Sequence, residues 1–120
     1  MLTFKNLRIA NVERCEHSFG NKIEEWSPTD WGCALAGEAG ELCNKLKKMR
    51  RGESVPLKDV ADEIADTVIY CDLLAERLGI NLDEAVISKF NEVTHRRGLF
   101  PMVLLTEQGC PHIDPDPSTV

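Results

Sequence analysis

No stretch of this 120-residue chain approaches the run of apolar residues that a membrane-spanning helix needs. The opening Met1-Leu2-Thr3-Phe4-Lys5 lacks the charged and apolar regions of a signal peptide, so a cytoplasmic location is expected. The cysteines number five, an odd count, and contain no Cys-x-x-Cys pair, which argues against a disulfide framework or a zinc site. His17, His95 and His112 lack metal-ligand spacing with one another or with a cysteine, and Cys110-Pro111-His112 reads as incidental. There is no glycine-rich phosphate loop, no Gly-x-Ser-x-Gly elbow and no Rossmann fingerprint. Basic charge is also short, 14 Lys and Arg against 20 Asp and Glu, and the net charge of −6 argues against a general binder of nucleic-acid polymers.

What the chain does have is helical period. A size of 120 residues fits one domain with a modest core, expected over residues 1–100, followed by a proline-rich tail over 101–120. The first helix is expected from about Phe4 to His17, with Phe4, Leu7, Ile9, Val12 and Cys15 as a loose stripe. A polar connection through Gly20 and Asn21 follows, and Ile23 and Trp26 are candidates to pack back onto the helices. Ser27-Pro28-Thr29-Asp30 reads as N-cap, first helical position and capping-box acid for a second helix that stops at Gly52. Leu35, Ala39, Leu42, Leu46 and Met49 form its apolar stripe. The third helix is expected from near Pro56 to Gly79, with Leu57, Ala61, Ile64, Val68, Cys71, Ala75 and Leu78 at the 3-4 spacing of a packing seam. Asn81 and Glu84 form the capping-box pattern of a fourth helix ending at Gly98. The expected fold is therefore all-α, four helices packed antiparallel with an irregular C-terminal tail.

Two acidic pairs stand out, Glu38–Glu41 on the second helix and Glu63–Asp66 on the third. A spacing of three puts both carboxylates of a pair on one helix face, and antiparallel packing would bring all four together. Twenty acids in a helical chain produce such pairs by chance. These differ in lying on consecutive helices, beside apolar positions rather than opposite them, and next to Gly37, Ala39 and Gly40, which would permit close backbone approach. Carboxylates brought into a packed region without a partner cost several kcal/mol or protonate, and a hard divalent cation relieves that cost. Oxygen-only donors favour magnesium, with manganese as the alternative. Downstream, Lys45, Lys47, Lys48, Arg50 and Arg51 form a basic stretch. Arg50 and Arg51 read as a solvated helix end, while Lys45 and Lys48 fit either that role or a phosphate-binding margin.

Ala36-Gly37-Glu38-Ala39-Gly40-Glu41-Leu42 followed by Asp62-Glu63-Ile64-Ala65-Asp66 resembles the E-x-x-E…E-x-x-D signature of the MazG-like all-α nucleoside triphosphate pyrophosphohydrolases. The resemblance runs from about Trp26 to Gly98 and takes in Lys89-Phe90-Asn91-Glu92-Val93. It implies magnesium-dependent hydrolysis of a (deoxy)nucleoside triphosphate to the monophosphate and pyrophosphate. Glu38, Glu41, Glu63 and Asp66 match its metal-binding, catalytic positions, with Glu41 the candidate general base. Lys89 matches a phosphate-binding lysine, and Arg96 or Arg97 is placed to add a second cation. The asparagine found one turn after that lysine in some relatives is Val93 here, with Asn91 two residues after the lysine instead. Tyr70 and Lys48 match positions lining the base pocket. Trp26 and Trp31 read first as packing anchors and second as stacking surfaces for a base. The resemblance also implies a homodimer or homotetramer, in keeping with the apolar surface of the third helix. Two alternatives remain open: a dUTP or phosphoribosyl-ATP pyrophosphohydrolase of the same superfamily, and a non-catalytic helical binding module with its acids paired to Lys45, Lys48 and Lys89.

Overall fold

A computed structural model describes residues 1–18, 20 and 23–106. Asn21, Cys110, His112 and the rest of 107–120 lie outside the described residues. The fold is all-α, with α1 (Phe4–Ser18), α2 (Pro28–Arg50), α3 (Leu57–Arg77) and α4 (Leu82–Arg96), and a 3-10 turn at Ile23–Glu25. No described helix is long and apolar enough to cross a membrane.

Punctuation legible in the sequence sets these boundaries. Ser27 Oγ accepts from the Asp30 N–H at 3.1 Å and the Asp30 carboxylate accepts from the Ser27 N–H at 2.9 Å, a complete capping box that holds the Asp30 carboxyl below its ordinary pKa. Asn81 Oδ1 accepts from the Glu84 N–H at 3.2 Å and caps α4. The chain leaves α2, α3 and α4 through Gly52, Gly79 and Gly98, all at positive φ, where a side chain would be strained.

The chain divides into two compact units, Met1–Ile80 and Asn81–Val120. Within the first, α3 packs against both α1 and α2. Arg77 donates to the Trp26 carbonyl, Trp31 meets Tyr70 and Lys45 meets Glu63, so α2 runs antiparallel to α3. Arg8 reaches Glu76 and Asn11 reaches Ile69, so α1 does likewise. Cys15, Ile23, Trp31 and Leu73 form the buried core, flanked by Val12, Trp26, Tyr70 and Leu74. Ile23 and Trp26 do pack back, and the Trp31 indole N–H donates to the Ile23 carbonyl at 3.0 Å.

Two packing features expected of the helices are not seen within the single chain. The seam of α3 is largely open, with Leu57 77%, Ile64 50%, Val68 41% and Leu78 50% exposed. Flanked by two helices, α3 buries Val60, Glu63, Asp72 and Leu73 instead, a wide arc that leaves the 3-4 stripe mostly outside. Nor do Gly37 and Gly40 serve close backbone approach, since a Cβ placed on either meets nothing within 4 Å.

A buried polar lock joins α1 to α3. Asp72 is fully buried and accepts from Arg8 Nε at 2.7 Å and from Asn11 Nδ2 at 3.0 Å. Arg8 Nη1 donates to Glu76 at 2.8 Å and Asn11 Nδ2 to the Ile69 carbonyl at 3.0 Å. In the second unit, the buried Asn91 clasps Leu104, donating to its carbonyl at 2.9 Å and accepting from its N–H at 2.7 Å. Thr94 Oγ1 donates to the Met102 carbonyl, and His95 stacks on Phe100.

Candidate functional site

The antiparallel pairing of α2 and α3 lays the first acidic pair across from the second. Carboxylate oxygens of Glu38, Glu41 and Glu63 lie within 4.8 Å of one another, the group of acids among the described residues with the geometry to hold a cation. Glu63 is only 8% exposed, whereas Glu38 is half-buried and Glu41 exposed, so the cluster opens outward at Glu41. Asp66, one turn beyond Glu63 and half-buried, lies outside that trio, although its charge acts on Glu38.

Charge and burial make the trio unsatisfied. Burial first, then the negative charges of Glu41, Asp66 and Glu63, and a hydrogen bond with Glu41 push the Glu38 carboxyl above its ordinary pKa. Among the described residues, Glu38 Oε2 and Glu63 Oε2 are buried with no hydrogen-bond partner. Buried carboxylate oxygens without donors are costly, and the donor set, three carboxylates, is that of a hard divalent ion. The residues fit a hard divalent cation on chemistry and on unmet bonding capacity.

Two neighbours frame the trio along the helices. On one side lies the aromatic group Trp26, Trp31 and Tyr70. Trp31 is 4.6 Å from Trp26 and 6.4 Å from Tyr70 between ring centroids. Trp31 is buried and hydrogen-bonded, a packing anchor, whereas Trp26 is half-buried and keeps part of its surface open. Burial, then the charges of Glu38 and Asp66, raise the Tyr70 pKa, which places its phenol within the field of the acids. On the other side, Lys45 Nζ lies 2.8 Å from Glu63 Oε1. Lys48 is half-buried near the C-terminus of α2.

The remaining expected contacts are on α4, in the second unit. Lys89 and Arg96 are exposed, and both approach Glu92, at 3.1 and 3.8 Å. Asn91 engages the backbone of Leu104 with both ends of its amide.

A pairing of the acids with Lys45, Lys48 and Lys89 was expected only for the non-catalytic alternative, and the particular partner of Lys45, Glu63, was not singled out. A signal existed. The short 51–56 connection sets residues about equally distant from it opposite each other, which pairs Lys45 with Glu63. No family model, curated protein or solved structure matches this chain.

Proposed function

We propose that this protein is a nucleoside triphosphate pyrophosphohydrolase, cleaving a (deoxy)nucleoside triphosphate to the monophosphate and pyrophosphate with magnesium. The observation that carries the reading is the trio Glu38, Glu41 and Glu63, with two buried carboxylate oxygens lacking any donor among the described residues. These three residues would hold the ion, with Asp66 adding negative charge beside them. When bound, magnesium supplies charge neutralisation to triphosphate oxygens and lowers the pKa of a coordinated water.

The order of groups along α2 supports a nucleotide lying lengthwise. Trp31 precedes Glu38 by seven residues and Lys45 follows it by seven, about 10 Å of helix each way. A base would rest on the open side of Trp26 and against Tyr70, and the phosphates would extend past the acids toward Lys45 and Lys48. Glu41, the exposed member, would accept a proton from the attacking water. The dUTP and phosphoribosyl-ATP activities of the same superfamily would use the same acids. Self-association through the open α3 face belongs to this reading, as a homodimer or homotetramer.

The rival, a non-catalytic helical module, draws on the Lys45–Glu63 ion pair. It accounts for one oxygen of Glu63 and leaves Glu38 Oε2 and Glu63 Oε2 without a donor among the described residues. Screening canonical and modified nucleotides for pyrophosphate release separates the two. The enzyme reading expects release in magnesium buffer that Glu38→Gln abolishes with the fold intact. Wild-type protein that releases no pyrophosphate from any nucleotide rejects it.

A further inference from the structure

Lys45 sits where its effect on the acidic trio must have a sign. Its ammonium lies 2.8 Å from Glu63 Oε1, and the ion pair is partly sheltered, with side-chain exposures of 31% and 11%. One monovalent cation facing three carboxylates leaves the cluster with excess negative charge, and Oε2 of both Glu38 and Glu63 stays without a donor among the described residues. A divalent ion drawn to that charge would share Glu63 with an ammonium already seated there, and two cations on one carboxylate repel. The lysine would yield, because its stem is flexible and partly exposed. Its anchor on α2, one turn past Glu41, keeps the displaced ammonium beside the cluster. There it faces any anion attracted by the ion.

We propose that Lys45 is a built-in counter-cation of the Glu38–Glu41–Glu63 cluster, displaced from Glu63 by a divalent ion and transferred to the phosphate oxygens of a polyphosphate ligand. This rests on the metal-bearing reading of the site. The consequence is a change of sign. Lys45 opposes the metal alone and favours the metal together with polyphosphate, so the two ligands bind cooperatively, each raising the affinity for the other by the same factor.

The test uses the full chain and two direct binding measurements. Free Mn2+ is followed by electron paramagnetic resonance, and binding of preformed manganese–tripolyphosphate by calorimetry. In Lys45→Met the Mn2+ affinity is expected to rise about fivefold or more, while affinity for manganese–tripolyphosphate falls about tenfold. Lys45→Arg, which keeps the charge, is expected to stay near wild type in both. Lys45→Gln repeats the measurement should the Met variant fail to fold. Both affinities within twofold of wild type, or a change in the same direction for both ligands, overturns the proposal, since a purely structural lysine gives one or the other. Glu38→Gln isolates the underlying reading. Mn2+ binding weakened by Glu38→Gln but indifferent to Lys45→Met rejects the role of Lys45 and keeps the metal site. Mn2+ binding indifferent to Glu38→Gln rejects the metal site, and the role of Lys45 with it.

Discussion

Glu38 holds its proton more tightly in the folded chain than in the unfolded one, because burial and the neighbouring acids disfavour its charged form. The sign of the linkage follows. The folded state binds more protons than the unfolded state between the ordinary value of 4.5 and the raised one, so the stability due to Glu38 is present below 4.5 and lost as pH rises through the raised value. Without divalent ions, the contribution of Glu38 to stability should therefore fall as pH rises above 4.5, and Glu38→Gln should melt higher than wild type at neutral pH. A Glu38→Gln variant that melts lower than wild type at neutral pH contradicts the strained cluster. Gly37 and Gly40 give a second test. A methyl group at either helical position meets open space, so Gly37→Ala and Gly40→Ala should each stabilise by about 0.5–1 kcal/mol in thermal or urea unfolding. Destabilisation by either would mean that the backbone there is closely approached. The acidic pairs were legible from spacing alone, since three residues on a helix fix a shared face whatever the tertiary structure. That Glu63 is buried was legible too, from the apolar positions on both sides of it. The fate of Asn91 was not, because its partner Leu104 lies in a segment with no period to read.

The helices themselves were legible because their ends are written in local chemistry. Ser27, Pro28 and Asp30 begin α2, and Gly52, Gly79 and Gly98 close three helices in the left-handed region that glycine tolerates. Which face each helix buries depends on its neighbours. The 3-4 stripe of α3 looked like a seam, but contact with α1 and α2 together buries a different and broader arc. Asp72 shows why. Set between Cys71 and Leu73 it has no local partner, and the arginine that satisfies it lies on another helix, 64 residues away in sequence. Removing that arginine leaves a fully buried carboxylate with Asn11 as its remaining side-chain donor among the described residues. Arg8→Met should therefore cost about 3 kcal/mol in urea unfolding, and Arg8→Met combined with Asp72→Leu should recover much of it. A cost below about 1 kcal/mol for Arg8→Met would put the lock in the class of ordinary surface ion pairs.

For the molecule as a whole, the exposed apolar residues Leu57, Ile64 and Val68 are the basis for expecting self-association. Light scattering coupled to gel filtration should then give two or four times the 13.4 kDa chain mass, and Val68→Glu should return it to one. A monomeric wild type at micromolar concentration removes the oligomer from the proposal without touching the acidic trio. The proposed reaction is attack of water at the α-phosphorus of a nucleoside triphosphate. Turnover in 18O-labelled water, with the products resolved by mass spectrometry, reads the point of attack directly. Label in the nucleoside monophosphate and none in the pyrophosphate is the predicted result. Label in pyrophosphate or inorganic phosphate, or no turnover of any nucleotide in magnesium buffer, would contradict it.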